Sequence, residues 1–242
     1  MANQENAAGT APRFKYFDWV MAAFITVYLC ANLIGPAKAA SLTLPLLGTI
    51  TFGAGVLFFP ISYVFGDILT EVYGYARARR VIWTGFAAMF FAAFMAYVVV
   101  SLPPAAQWPH QGAYEIAFGS TWRIVGASLT AYCVGEFVNS YVLAKLKIRT
   151  QGGFLWARTI GSTILGEGVD SLLFYPLAFW NSGIIPNEII PALMLSQWIA
   201  KTTVEIVFTP LTYKIVNFLK RAEHEDHYDI NTNFTPFSVK DR

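Results

Sequence analysis

Charge is scarce in this chain. Only 13% of its 242 residues are Asp, Glu, Lys or Arg, about half the share of an ordinary soluble domain. Hydrophobic residues make up 55% and aromatic ones 16%, and the mean hydropathy is +0.47; this is the composition of a membrane protein. Cysteine is rarer still. Cys30 and Cys133 both lie in apolar segments, which reads as two buried thiols and excludes a disulfide framework. The three histidines, His110, His224 and His227, fall in loops or in the C-terminal tail, so none is available for metal or proton chemistry at mid-membrane depth. No Gly-x-x-x-x-Gly-Lys phosphate loop occurs, so the chain hydrolyses no ATP itself. The net charge of +2 forms no strong basic patch for a nucleic acid. Residues Met1 to Arg13 lack the apolar core of a cleavable signal peptide, so the first apolar segment is expected to be retained as a helix.

What the sequence does contain is six apolar stretches, each long enough to cross a bilayer as a helix. They run Phe14–Ala40, Gly53–Tyr73, Val81–Leu102, Thr121–Leu146, Arg158–Phe179 and Ile189–Leu219. The fold class expected is therefore an all-α membrane protein of six transmembrane helices, with a polar tail at 1–13, a transmembrane domain at 14–219 and a charged, mobile tail at 220–242. Gly35-Pro36 interrupts the first stretch, and Lys38 after it snorkels outward. Ser41–Phe52 reads as an extended or hairpin loop, and Pro60 should kink or break the second span. The third has almost no polar side chains and suits lipid or a homodimer contact. Lys and Arg cluster before the first helix, at Arg77 to Arg80, between Lys145 and Arg158, and from Lys214 to Arg221. The positive-inside rule then places both termini in the cytoplasm.

The polar residues inside these stretches carry the functional signal. Glu167 and Asp170 stand mid-helix, where each carboxylate facing lipid would cost roughly 2.5 to 3.5 kcal/mol. Helical spacing puts Thr163, Glu167, Asp170 and Phe174 on one stripe; Tyr132, Glu136 and Asn139 on a second; and Trp198, Lys201, Glu205 and Thr209 on a third. With Asn32, these groups fall at similar depth on four helices, which points to a shared polar cavity. Lys201 and Glu205, four apart, could instead be a structural ion pair. Asn32 could satisfy backbone groups freed near Gly35-Pro36. Asp67 and Glu71, nearer the cytoplasmic end and within reach of Arg77, read as a gate or as a structural salt bridge. His224-Glu-Asp-His227 could hold a metal weakly, but a solvated acidic tail is the better reading, and no metal or cofactor site is assigned. Gly135-Glu136-Phe-Val-Asn139-Ser140 and Gly166-Glu167-Gly-Val-Asp170-Ser171 share one pattern, the kind of internal repeat found in transporters built around a midplane site.

The run Asp67-Ile-Leu-Thr-Glu71-Val-Tyr73-Gly74 with its following arginines, Gly135-Glu136 with Asn139, and Arg158 through Ser162 to Gly166-Glu167 and Asp170-Ser171 together resemble the bacterial queuosine-precursor transporters. The resemblance covers Phe14 to Leu219. It implies a multi-pass inner-membrane importer, not an enzyme, of 7-deazaguanines such as 7-cyano-7-deazaguanine and its aminomethyl relative, which feed queuosine in tRNA. It also implies a six-helix class similar to the substrate-binding subunits of vitamin importers, so a binding subunit of an ATP-driven vitamin or nucleobase importer is the alternative. A deazaguanine presents an N1–H beside an exocyclic amine, which one carboxylate can accept together. Glu136 or Glu167 suits that role, Asn139 and Lys201 suit the acceptors, Asp170 an aminomethyl cation, and Trp198 or Phe174 the flat ring. Asn32 and Glu205 complete the expected binding set; Asp67, Glu71, Arg77 and Arg158 are expected to gate or to brace.

Overall fold

A computed structural model describes residues 14–34, 39–44, 48–53, 58–119, 122–183 and 186–238; Gly35-Pro36 and Lys38 lie outside them. The order is α1 (Phe17–Leu33), β1 (Ala39–Leu44), β2 (Gly48–Gly53), α2 (Phe59–Tyr73), α3 (Tyr75–Ser101), α4 (Gln111–Phe118), α5 (Trp122–Arg149), α6 (Leu155–Phe179), a single 3-10 turn (Asn187–Ile189) and α7 (Ile190–Glu223). Six long helices therefore match the six apolar stretches, with local differences. The first ends at Leu33, and Ala39–Ala40 already belong to an antiparallel hairpin in which Ala39 faces Gly53 and Leu44 faces Gly48. A short helix, α4, occupies part of the segment expected to be a loop. Pro60 sits in the first turn of α2, where its missing N–H is harmless, and it starts that helix rather than kinking it.

The largest departure is at Arg77, Arg79 and Arg80. These do not form a loop: α3 begins at Tyr75, and the whole connection from α2 is Gly74, at φ 85° and ψ 164°. Only glycine occupies that backbone region without strain.

Polarity is turned outside in. On α7, Glu205 and Thr212 are fully buried, while Val207 is 66% exposed, with Ile206 and Leu211 also exposed. On α3, Phe90, Phe91 and Phe94 face outward. Water around the bundle would penalise that arrangement; lipid favours it. Among the described residues, Tyr75–Ser101 alone passes as a membrane span on length and apolarity, with Phe17–Leu33 a shorter apolar helix. α2, at 15 residues, is short of that length, and α5, α6 and α7 are less apolar because they carry the interior charges: Glu136 on α5, Arg158, Glu167 and Asp170 on α6, Lys201 and Glu205 on α7.

α5 and α6 cross through their two glycines. A Cβ on Gly135 would stand 3.0 Å from Asp170 Cβ and 3.1 Å from the Gly166 carbonyl oxygen, and one on Gly166 would stand 2.7 Å from Asn139 Cβ and 3.0 Å from the Gly135 carbonyl oxygen. The two six-residue patterns thus pack reciprocally, antiparallel, each glycine against the fourth residue after the other.

From Lys220 to Ser238 the tail is ordered, contrary to its expected mobility. Its charges are spent on the bundle. Glu223 accepts from the backbone N–H of Lys15 and Tyr16 at 2.7 Å each and from the Tyr73 hydroxyl at 3.0 Å, which fixes both ends of the described chain at one end of the bundle. His224 turns left-handed at φ 52° and ends α7. The chain then doubles back over the α2–α3 junction. Asp229 accepts from the Tyr75 N–H at 3.1 Å, at the start of α3, where a carboxylate suits the helix dipole. Arg79 donates to the carbonyls of Asn233 and Thr235 at 2.7 and 2.8 Å, and the Trp83 ring to that of Pro236 at 2.8 Å.

Burial alone would raise the carboxyls of Asp226 and Asp229. Hydrogen bonds from Lys147 and Lys220 to the first, and from His227, Thr232 and the Tyr75 N–H to the second, outweigh it and hold both below the ordinary aspartate range. A pKa depressed by folding contributes stability above the unfolded value of about 3.9 and loses it as pH falls through the folded value. Amide hydrogen exchange over 226–237, corrected for intrinsic rates, should stay slow at neutral pH and accelerate below about pH 4. Exchange unchanged by acid would show that these ion contacts do not hold the tail. Gly74→Val meets a backbone strain of about 1–3 kcal/mol and overlaps the His227 ring. Its thermal midpoint in detergent should fall by several degrees, whereas Gly112→Val, where a Cβ meets nothing, should leave the midpoint unchanged.

Candidate functional site

Where α1, α2, α5, α6 and α7 converge they enclose a cavity of about 230 Å³, smaller than the roughly 300–1,000 Å³ that drug-sized ligands occupy. Tyr28, Ala31 and Asn32 line it from α1, Ser62 from α2, Ser128, Tyr132, Gly135 and Glu136 from α5, Glu167, Asp170, Phe174 and Tyr175 from α6, and Gln197 and Lys201 from α7. The Gly135–Gly166 crossing sets this geometry, since it brings Glu136 and Asp170 to one side of two touching backbones.

Lys201 Nζ lies 2.8 Å from Glu167 Oε2 and 2.6 Å from Asp170 Oδ2. The alternative of a Lys201–Glu205 pair is not what forms: Lys201 reaches two acids on α6 at once, and Glu205 turns towards Asp67 on α2. Glu136 has no ion-pair partner among the described residues; its Oε2 is 3.3 Å from the place a Gly66 Cβ would take, so a glycine on α2 makes room for it. The Tyr28 and Tyr132 rings stack at 3.9 Å, 25° from parallel, with both hydroxyls buried and without a hydrogen-bond partner among the described residues. Asn32 is fixed at both ends of its amide, donating to the Tyr28 carbonyl at 2.9 Å and accepting from Ser128 Oγ at 3.1 Å.

Three expected binding residues lie elsewhere. Asn139 turns to Asp67, donating to its Oδ1 at 3.4 Å. Glu205 is fully buried beside Asp67. Trp198 is half-buried outside the cavity lining, with its ring N–H on the Ile164 carbonyl at 2.9 Å and its ring against Gly168; the glycine lets it pack there, away from the cavity. Conversely, Tyr28, Ser62, Ser128, Tyr175 and Gln197 line the cavity without having been assigned to it, beside Tyr132, whose stripe pointed there. The signal for two of them was helical spacing: Tyr28 and Gln197 stand four residues before Asn32 and Lys201.

The two ends of the cavity differ. A larger hollow of about 670 Å³ adjoins it through the shared residues Asn32, Ser128 and Phe174, and is lined by the end of α3, by α4 and by the start of α5. Further along α2 than Ser62, and outside the cavity lining, Glu71 is fully buried. Its carboxylate meets Arg158 in a fork at 2.5 and 3.1 Å, Lys220 at 2.6 Å and Lys147 at 3.6 Å. Lys147 continues the network to Asp226 at 2.6 Å and to the His227 carbonyl at 2.7 Å. Arg77, expected beside Glu71, instead donates to the Tyr73 carbonyl at 2.9 Å and lies 4.3 Å over the Phe14 ring, because the Gly74 bend points it at the start of α1. Both cysteines are free thiols. Among the described residues, no group of three His, Cys, Asp or Glu side chains is placed to hold a metal ion.

Comparison with known proteins adds the family. Residues 53–215 match the family model described as "Putative vitamin uptake transporter". A probable queuosine precursor transporter of Bacillus subtilis (strain 168) is 30% identical over 210 residues, 86% of each chain, and a queuosine precursor transporter of Escherichia coli (strain K12) is 29% identical over 214 residues, 88% of each. A probable queuosine precursor transporter of Haemophilus influenzae is 28% identical over 130 residues, about half of each chain. No solved structure matches. Matched by the model over more than half its length, and by a relative at 30% identity over most of both chains, the chain belongs to the vitamin uptake transporter family.

Proposed function

We propose that this chain imports queuosine precursors, 7-deazaguanines such as 7-cyano-7-deazaguanine and its aminomethyl relative, across the bacterial inner membrane. The family is one of transporters, which places the chain in a membrane and leaves no enzyme reading. The observation that carries the proposal is that five helices direct acids, amides and aromatic rings into one small cavity, in a chain whose relatives are named for these cargoes.

Arg79, Lys147, Arg158 and Lys220 gather at the end where α1 begins and α7 finishes, which the positive-inside rule assigns to the cytoplasm. The Glu71 network then closes the cytoplasmic side, and the 670 Å³ hollow is an outer vestibule. Glu136, without a cation of its own, is the carboxylate best suited to accept the N1–H and the amine together. Lys201 can turn from the two acids it bridges to meet the carbonyl, and Asp170 is then free for an aminomethyl cation. The flat ring fits between the Tyr28–Tyr132 pair and Phe174. The outward rows on α3 suit lipid.

In a bacterium that can neither make nor import the deazaguanine, expression of this chain with the compound supplied should restore queuosine in tRNA. No queuosine, with the protein present in the membrane, would overturn the reading. Uptake by the purified chain alone in liposomes separates it from a subunit that needs an ATP-driven module. Glu136→Gln and Glu167→Gln should each lower rescue at least tenfold at unchanged abundance, while Trp198→Phe retains it. Lys201→Met leaves two half-buried carboxylates without their cation, an effect of about 3–5 kcal/mol, and membrane abundance should fall several-fold; Lys201→Arg should keep most of it.

A further inference from the structure

One buried pair lies outside the cavity and is used by nothing described so far. Asp67 on α2 and Glu205 on α7 are 1% and 0% exposed. Among the described residues, neither Glu205 oxygen meets a donor, nor does Asp67 Oδ2. The donor that reaches the pair there is the Asn139 amide, 3.4 Å from Asp67 Oδ1. What Glu205 faces, within hydrogen-bonding reach, is the Asp67 carboxyl itself. Two carboxylates in that position are acceptors turned on each other, and the contact becomes a hydrogen bond only when a proton lies between them.

The pair also occupies a particular place. Glu136 of the cavity wall approaches α2 at Gly66, the residue before Asp67. Glu71 of the cytoplasmic seal is one turn beyond Asp67, held by Arg158. The charged groups facing the pair are therefore Glu136 from α5, Glu167 and Arg158 from α6, and Glu71 from its own helix. Opening the seal would bring cytoplasmic water to Asp67 and Glu205, and closing it leaves only the cavity side as a route.

We propose that Asp67 and Glu205 share one transferable proton and are the site that couples cargo movement to a proton gradient, an inference that rests on the transport reading above. In the outward state the pair takes a proton through the cavity. When the seal opens, the O–H bond breaks and the proton passes to cytoplasmic water, leaving two carboxylates whose repulsion favours return to the outward state and reprotonation. Cargo and proton enter together, and no other reactant is needed.

The test uses the full chain in liposomes with 7-cyano-7-deazaguanine. Exchange of labelled for unlabelled cargo, with no gradient, reads transport alone; accumulation driven by an acid exterior, with and without a protonophore, reads coupling. The wild-type chain should accumulate cargo only with the gradient. Glu205→Gln should exchange within about twofold of wild type yet lose at least tenfold of the driven accumulation. Accumulation by the wild-type chain that ignores the gradient, or by Glu205→Gln at the wild-type level, would overturn coupling while leaving transport intact. A wild-type chain that exchanges nothing overturns the transport reading, and this inference with it. Should Glu205→Gln not fold, Asp67→Asn is judged by the same two assays.

Discussion

A carboxylate removed from water must be given a cation, hydrogen-bond donors or a proton, and this protein applies that constraint differently at its two levels. At the end where α1 begins and α7 finishes one acid, Glu71, is surrounded by Arg158, Lys220 and Lys147. In the interior, Lys201 pairs with Glu167 and Asp170, while Asp67, Glu136 and Glu205 have no ion pair among the described residues. The first arrangement is saturated and closes the bundle. The second leaves bonding capacity that a cargo or a proton can complete, and that difference separates the parts that hold the structure from the parts that act.

Backbone contact between α5 and α6 makes the second arrangement possible. With glycine at 135 and 166, each helix lies against the Cβ of the other's fourth following residue, so Glu136, Glu167 and Asp170 are brought close without intervening bulk. Asn139 and Asp170, at equivalent places in the two patterns, nevertheless take different partners, Asp67 and Lys201. Near-symmetry of the chain thus yields an asymmetric site, one half lining the cavity and the other facing the buried pair.

Much of this was legible in the residues. Apolar length gave the six long helices, and the cost of a mid-helix carboxylate pointed to an interior site that includes Glu136, Glu167, Asp170, Phe174, Lys201 and Asn32. What periodicity leaves open is which side of a polar stripe faces which neighbour. Glu205 and Lys201 share a stripe, yet one turns to α2 and the other to α6; Trp198 lies on the same stripe and reaches the outside over Gly168. Likewise, Arg77 to Arg80 look like a loop because basic runs flank membrane helices, and only the backbone of Gly74 shows that α3 begins before them. The tail was illegible for another reason. Several of its anchors are main-chain carbonyls, of Asn233, Thr235 and Pro236, which no side-chain pattern announces, and its side-chain anchors, Asp226 and Asp229, stand in a charged stretch that reads as a solvated tail.

That tail has a bearing on biogenesis. Residues 226–236 hold Lys147, Tyr75, Arg79 and Trp83, which stand far earlier in the chain. Helices α3 and α5 are therefore synthesised before the segment that latches them, and this end of the bundle stays unlatched until the stretch after α7 docks. Substitutions in that stretch would act first on maturation and only then on transport.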